Sequence, residues 1–197
     1  MRIGLITGEY PPDQGGVGDF TQEIGKGLAA LGHDVRVITA QSPIPNLQPS
    51  ITVYREINSW GWGCWRQILR IARREQLDVL NVQFQTAAFK MHPAIHFVPR
   101  RGHRPPTVVT FHDLRVPYLF PKAGPLRWKS IEMLARRADG VIVTNRKDEA
   151  EISNLKPQTP TVVRIPIGSN IAPHLPADYD RDTWRARLGI EAGDLLL

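Results

Sequence analysis

A glycine-rich turn near the N-terminus is the segment of this sequence best suited to binding a ligand. Residues 8–18 read Gly-Glu-Tyr-Pro-Pro-Asp-Gln-Gly-Gly-Val-Gly and lie between a predicted strand, Ile3–Thr7, and a predicted helix, Val17–Leu31. Small residues let the backbone come close to a ligand, and the free N–H groups at a helix start favour negative charge. The turn is therefore predicted to be compatible with phosphate binding.

The spacing of the glycines excludes two common kinds of nucleotide site. It matches neither the G-x-G-x-x-G fingerprint of dinucleotide-binding proteins nor the G-x-x-x-x-G-K-[ST] loop of NTPases. The second predicted strand, Val35–Thr39, is followed by Ala40 and Gln41, so no acid stands where a ribose would be held. A nicotinamide-dependent enzyme is therefore disfavoured.

The elements that position this turn follow a regular alternation. Seven short, nearly continuous apolar runs rich in Val and Ile alternate with amphipathic stretches, which is typical of parallel strands covered by helices on both faces. The sequence thus predicts an α/β fold with a doubly wound, mostly parallel Rossmann-like sheet of about seven strands. The runs are Ile3–Thr7, Val35–Thr39, Ile51–Arg55, Asp78–Gln83, Thr107–Phe111, Gly140–Thr144 and Thr161–Ile165.

Polar side chains stand where several of these strands end. Gln83 closes the fourth run, His112 and Asp113 follow the fifth, and Asn145 follows the sixth as a predicted helix cap. Ligands of open α/β sheets bind beyond the carboxyl ends of the strands. We therefore expect Gln83, His112 and Asp113 to lie near the glycine-rich turn.

Composition narrows the class of partner without choosing one. The chain has 197 residues, a net charge of +6 and one cysteine, Cys64, so no disulfide can form within it. A reducing compartment fits this cysteine count, and no signal peptide or membrane-spanning run is recognisable, so a cytoplasmic location is expected. The charge permits anionic partners, but no nucleic-acid-binding motif is present.

Five segments in this order resemble the N-terminal domain of glycosyltransferase family 4, a family of retaining enzymes with the GT-B fold. No single segment is specific, but together they cover essentially the whole chain. The segments are Glu9–Pro12 with Gly15–Gly18, Leu28–Val35, Thr110–Asp113, Ala138–Thr144 and Ile165–Gly168.

This resemblance implies an enzyme with two Rossmann-like domains facing each other across a cleft. Residues 1–172 would form the acceptor-side domain, and residues 173–197 a linker and the truncated start of a donor-binding domain that is otherwise missing here. The substrates would be a nucleotide sugar and an acceptor glycan, lipid or small molecule, with no further cofactor and no metal. The alternatives are a non-catalytic module that binds a glycan, lipid or sugar phosphate, and one half of a split transferase.

The resemblance also implies roles for particular residues. Gly15, Gly16 and Val17 would approach the donor diphosphate, and His112 would be the catalytic residue that contacts the donor sugar. Candidates for acceptor binding are Glu9, Tyr10, Asp19, Gln83 and Asp113. Each has a purely structural alternative: the glycines could form only a tight turn, and an acid at position 19 favours the helix dipole without any ligand.

Two further patterns suggest metal or membrane binding. His92 and His96 have metal-ligand spacing, but Pro93 lies between them and no third ligand is evident, so a metal site is not expected. Trp60, Trp62 and Trp65 precede a run of arginines at positions 66, 70, 73 and 74. Such a segment could contact an anionic membrane at its inner face, or could be an ordinary helix with a solvated basic face.

Overall fold

The computed structural model describes residues 1–42, 51–99, 102, 105–112, 114, 124–155, 161–168, 175–191 and 193–194. Contacts between residues divide the chain into two compact units, Met1–Ile167 and Gly168–Leu197. The predicted domain boundary, between residues 172 and 173, falls outside the described residues and stays a prediction.

The first unit is a seven-stranded parallel sheet within the described part of the chain, which confirms the predicted fold class. The strands lie in the order β3-β2-β1-β4-β5-β6-β7, so the order reverses between β1 and β4. The strand bounds are β1 Arg2–Thr7, β2 Asp34–Ala40, β3 Thr52–Ile57, β4 Val79–Phe84, β5 Thr107–Phe111, β6 Gly140–Val143 and β7 Thr161–Arg164.

Helices cover both faces of this sheet. Helix α1, Gly16–Ala30, packs on one face over β1 and β2, where Leu5, Val35 and Val37 are buried. Helices α2, Cys64–Arg74, α3, Gly124–Arg137, and α4, Arg146–Ser153, contribute to a larger cluster on the other face. A short 3-10 helix, Pro93–His96, lies between β4 and β5 in the chain.

Alternation along the strands decides which side chains face α1. In β4, Leu80 and Val82 enter the larger cluster, so Asn81 and Gln83 point to the α1 face. Gln83 is paired in register with Thr7 of β1 and with Thr110 of β5. A row of polar side chains, Thr7, Gln83 and Thr110, therefore crosses the middle of the sheet on the face that α1 covers.

The second unit contains one helix in its described part, α5, Arg181–Arg187. Asp180 caps this helix, because its Oδ1 accepts a hydrogen bond of 2.7 Å from the backbone N–H of Thr183. Asp180 belongs to an Asp-Tyr-Asp triplet, a spacing that also occurs in metal sites, and its carboxylate is used here as a helix cap. Across the residues that the structure describes, none of the helices is both long enough and apolar enough to cross a membrane.

Candidate functional site

In the glycine-rich turn between β1 and α1, the side chain of Glu9 bonds to the start of the helix. The Glu9 Oε1 accepts a hydrogen bond of 3.2 Å from the backbone N–H of Val17, in the first turn of α1. A side chain at Gly15 would place its Cβ 2.0 Å from the Glu9 carboxyl carbon, so only glycine leaves room for this arrangement. The predicted anion site at this helix start thus holds an internal carboxylate.

Strand β3 fixes the same loop from the side. The Arg55 guanidinium donates to the backbone carbonyls of Tyr10 and Pro11, at 3.3 and 2.6 Å, and forms an ion pair with Asp13 at 3.3 Å. Below the loop, Gly8 lies so close to the neighbouring turn that a Cβ there would be 2.1 Å from the carbonyl oxygen of Ala88. The loop therefore has a defined shape before any ligand arrives.

His112 follows β5 at the carboxyl edge of the sheet and is held by Gln83. The distance between His112 Nε2 and Gln83 Oε1 is 2.9 Å, and Gln83 Nε2 in turn donates to Asn81 Oδ1 at 3.1 Å. Asn81 Oδ1 also accepts from the Thr110 hydroxyl at 2.9 Å. Because an amide oxygen can only accept, the His112 proton is on Nε2, and Nδ1 keeps a lone pair for a ligand.

Burial keeps this imidazole neutral. Loss of hydration lowers the pKa of His112 from 6.5 to about 4, because the charged form would be poorly solvated among its neighbours. At neutral pH the side chain is therefore an uncharged hydrogen-bond acceptor of fixed tautomer.

Helix α1 links the histidine to the glycine-rich turn. The rings of Phe20 and His112 meet edge to face, with centroids 4.7 Å apart and an interplanar angle of 80°. Phe20 lies one turn of α1 after Val17, whose N–H is the one that Glu9 holds. The start of α1 and the imidazole of His112 thus lie at the same edge and on the same face of the sheet.

The structure buries two of the predicted acceptor-binding side chains, and their role in acceptor binding stays a prediction. Tyr10 is fully buried in the cluster beneath α1, so its side chain does not reach the solvent in this structure. Gln83 is also buried, at 1% exposure, and contacts His112 instead of the solvent. Asp19 is exposed on the first turn of α1, Glu9 is half-buried in the turn, and Asp113 lies outside the described residues.

The two histidines with metal-ligand spacing have local structural roles. His92 Nδ1 accepts from the backbone N–H of Ala94 at 3.1 Å and so caps the 3-10 helix. His96 Nδ1 lies 3.1 Å from the carbonyl oxygen of Pro93 and therefore donates to it. Within the described ranges no group of three or more His, Cys, Asp or Glu residues could hold a metal ion.

Burial raises the pKa of the Cys64 thiol to about 11, which fits a packing role.

The tryptophan-rich segment before α2 is mostly core. Trp60 and Trp65 are 3% and 9% exposed, whereas Trp62 is 69% exposed and packs edge to face against Phe97. Arg74 is paired with Glu56 and Glu75. Of the two alternatives left open by the sequence, a membrane-contacting segment would therefore be limited to Trp62 and the three arginines other than Arg74.

Three residues of the site were missed by sequence reasoning. Arg55 holds the turn from a neighbouring strand, Phe20 packs on His112, and Asn81 orients Gln83. The alternation along β4 already placed Asn81 on the same face as Gln83, so its role was open to prediction. The other two contacts depend on how distant segments meet, for which the sequence carries no local signal.

One curated protein is similar to this chain in sequence. The alpha-monoglucosyldiacylglycerol synthase of Acholeplasma laidlawii is 27% identical over 217 residues, which cover 96% of this chain and 52% of that protein. The chain therefore spans about half the length of this curated relative.

Solved structures share the fold. A sucrose-phosphate synthase from Thermosynechococcus elongatus superposes with a TM-score of 0.67 and 18% identity, over 98% of this chain and 53% of that one. The UGT2 of Phytolacca americana, solved with UDP-2-fluoro-glucose and pterostilbene, gives a TM-score of 0.52 and 13% identity, over 94% of this chain and 57% of its own. The sheet is thus the Rossmann-like type found in GT-B glycosyltransferases.

A family model settles the relationship. The model described as Glycosyltransferase Family 4 matches residues 14–171, which include the second part of the glycine-rich turn, residues 14–18, together with Gln83 and His112. Because this match covers well over half of the chain, the protein belongs to Glycosyltransferase Family 4.

Proposed function

We propose that this chain is the acceptor-side domain of a retaining glycosyltransferase that moves a sugar from a nucleotide-sugar donor to an acceptor hydroxyl. The observation that carries the proposal is the meeting of the start of α1 with His112 through Phe20. Backbone N–H groups suited to phosphate and a neutral imidazole suited to a sugar thereby face the same edge of one sheet.

The chemistry assigned to each part follows from its charge. A neutral imidazole can accept a hydrogen bond from a sugar hydroxyl through Nδ1 without adding positive charge beside an oxocarbenium-like centre. The donor diphosphate would take the helix start that Glu9 now occupies, because both groups are anions that seek the same N–H donors. Donor binding would therefore displace the Glu9 carboxylate from the N–H of Val17.

The names of the similar proteins support a nucleotide-sugar donor. One similar structure was solved with UDP-2-fluoro-glucose, and two similar proteins are named as synthases of glucosylated or sucrose-phosphate products. In this proposal a second domain, as in relatives of twice the length, supplies most of the donor pocket.

A transfer assay tests this function. The protein encoded by the complete native reading frame is incubated with UDP-, GDP- and ADP-sugars and with a panel of glycan, lipid and small-molecule acceptors. NMR then gives the anomeric configuration of the product. We expect transfer with retention by the complete protein and no turnover by residues 1–197 alone. Acceptor binding without transfer by the complete protein would instead favour a non-catalytic binding module, and activity restored only by a separate donor domain would favour a split enzyme.

Peripheral contact with an anionic membrane is a second part of the proposal. Trp62 is exposed beside Phe97, and the exposed Arg66, Arg70 and Arg73 follow it on α2. Among the described residues, none of these three arginines has an ion-pair partner. An aromatic side chain next to a basic row suits an anionic lipid surface, where each basic residue contributes about 1 kcal/mol.

Replacing Trp62 with alanine is expected to weaken binding to phosphatidylcholine vesicles containing phosphatidylglycerol about tenfold, since burial of a large apolar side chain contributes about 1.5–3 kcal/mol. Vesicle sedimentation at physiological salt measures the effect. Trp184→Ala is the control, because Trp184 is also exposed, at 44%, but lies on α5. Equal loss in both variants, or no binding of the unaltered protein, would remove the membrane from the proposal.

A further inference from the structure

A cleft between the carboxyl end of β3 and helix α2 is separate from the residues discussed for transfer. It has a volume of about 430 Å³ and lies at the same edge of the sheet as the glycine-rich turn. Its lining includes Glu56, Asn58, Gly63, Arg66, Gln67 and Arg70.

Two arginines give this cleft its charge. Arg66 and Arg70 are one helical turn apart on α2, and both line the cleft. In the described part of the chain neither makes an ion pair or a hydrogen bond. A guanidinium presents a planar fork of N–H donors that matches the oxygens of a phosphate, so two of them on one wall favour such an oxyanion.

The one acid among these lining residues, Glu56, is already paired with a cation. Both carboxylate oxygens of Glu56 accept from Arg74, at 3.0 and 2.6 Å. Because this pairing engages the carboxylate from outside the cleft lining, Glu56 leaves the charge of Arg66 and Arg70 available to a ligand.

The amide side chains of the cleft also present donors. Gln67 Oε1 accepts from the backbone N–H of Asn58 at 3.0 Å, and Asn58 Oδ1 accepts from Gln41 Nε2 at 3.0 Å. With their oxygens occupied, each amide keeps an NH₂ group that has no partner among the described residues. Gly63 adds the start of α2, which has no side-chain cap and no acid in its first turn.

We propose that this cleft is an oxyanion subsite that holds a phosphate group of the acceptor. That the phosphate belongs to the acceptor rests on the function proposed above, whereas the binding of phosphate itself does not. Strand β3 is two strands from β1, or roughly 10 Å at the usual strand spacing, and its Arg55 clamps the glycine-rich turn. His112 follows β5, which is four strands from β3, or roughly 20 Å at the usual strand spacing, and α2 lies on the face opposite α1. A phosphate in the cleft would thus hold an extended acceptor many bonds from the hydroxyl that reacts.

The phosphate could belong to a soluble ester or to a lipid headgroup, so the test has two arms. Binding of the 197-residue chain to inorganic phosphate and glycerol 3-phosphate is measured by calorimetry, and binding to phosphatidylcholine vesicles with phosphatidic acid by sedimentation. The test variant is Arg66→Gln/Arg70→Gln. The control is Lys129→Gln/Lys147→Gln, which removes the same charge from exposed side chains that neither line the cleft nor lie on α2.

We expect the test variant to bind at least tenfold more weakly than the control in one arm or both. A loss confined to the soluble arm assigns the site to a free phosphate ester, and a loss confined to the vesicle arm assigns it to a lipid headgroup. Equal affinity of the two variants in both arms, or no phosphate binding by the unaltered chain in either arm, overturns the proposal. Neither readout requires sugar transfer, so failure of the transfer assay would leave this result standing, and the reverse also holds.

Discussion

Replacing His112 with alanine in the complete native protein is expected to lower kcat by about 100-fold or more, with KM for the donor changed much less. The loss is of the size seen when one preorganised hydrogen-bonding group is removed from an active site. Steady-state kinetics with the donor and acceptor identified in the transfer assay provide the measurement.

The magnitude follows from how firmly the imidazole is held. Gln83 fixes the proton on Nε2 at 2.9 Å, and Phe20 packs against the ring, so Nδ1 has one direction and one protonation state. A group that is oriented before the substrate binds pays no reorganisation cost as charge develops in the transition state. Alanine removes both the acceptor atom and the packing of Phe20.

Two further variants separate chemistry from folding. His33→Ala removes a histidine that lies at the opposite, amino end of β2 and is expected to keep the original kcat. His112→Asn keeps a polar side chain at the site and tests whether an amide can replace the imidazole. Turnover of His112→Ala at the original rate would end the catalytic assignment, provided that its circular dichroism spectrum shows a folded protein.

The fold was predictable because parallel strands have a strong sequence signature. All seven apolar runs became strands with ends displaced by at most two residues, since strands buried on both faces need continuous Val- and Ile-rich segments. The cap at Asn145 was predictable for a similar reason, because its Oδ1 accepts from the N–H of Asp148 three residues later.

The site was predictable in position but only partly in contacts. Residues that follow neighbouring strands had to meet at one edge, which brought His112 near the turn. By contrast, nothing local indicated that Tyr10 would be buried or that Glu9 would fold back onto Val17, because both depend on how a proline-containing loop crosses the sheet. Likewise, nothing local indicated that Trp60 and Trp65 would pack in the core while Trp62, which lies between them in the sequence, is exposed.

The stability of the 197-residue chain is expected to depend on His112 between pH 6.5 and about 4. In this window the unfolded chain binds a proton at the histidine while the folded chain does not, so falling pH favours unfolding. A pKa difference of this size corresponds to about 3 kcal/mol of unfolding free energy, present at neutral pH and lost on acidification. Below pH 4 the folded form also binds the proton, and this loss levels off.

The His112→Asn variant isolates that contribution from those of other groups. Burial also lowers the pKa of His96, so acidification destabilises the variant too, but with a shallower slope. Urea unfolding at pH 7, 6, 5 and 4.5 should therefore show the two stability curves approaching each other as the pH falls. Parallel curves would mean that His112 has the same pKa in the folded and the unfolded chain. Such an imidazole would be solvated, and it would be charged in mildly acidic solution. It could then not be the fixed neutral acceptor on which the proposed chemistry depends.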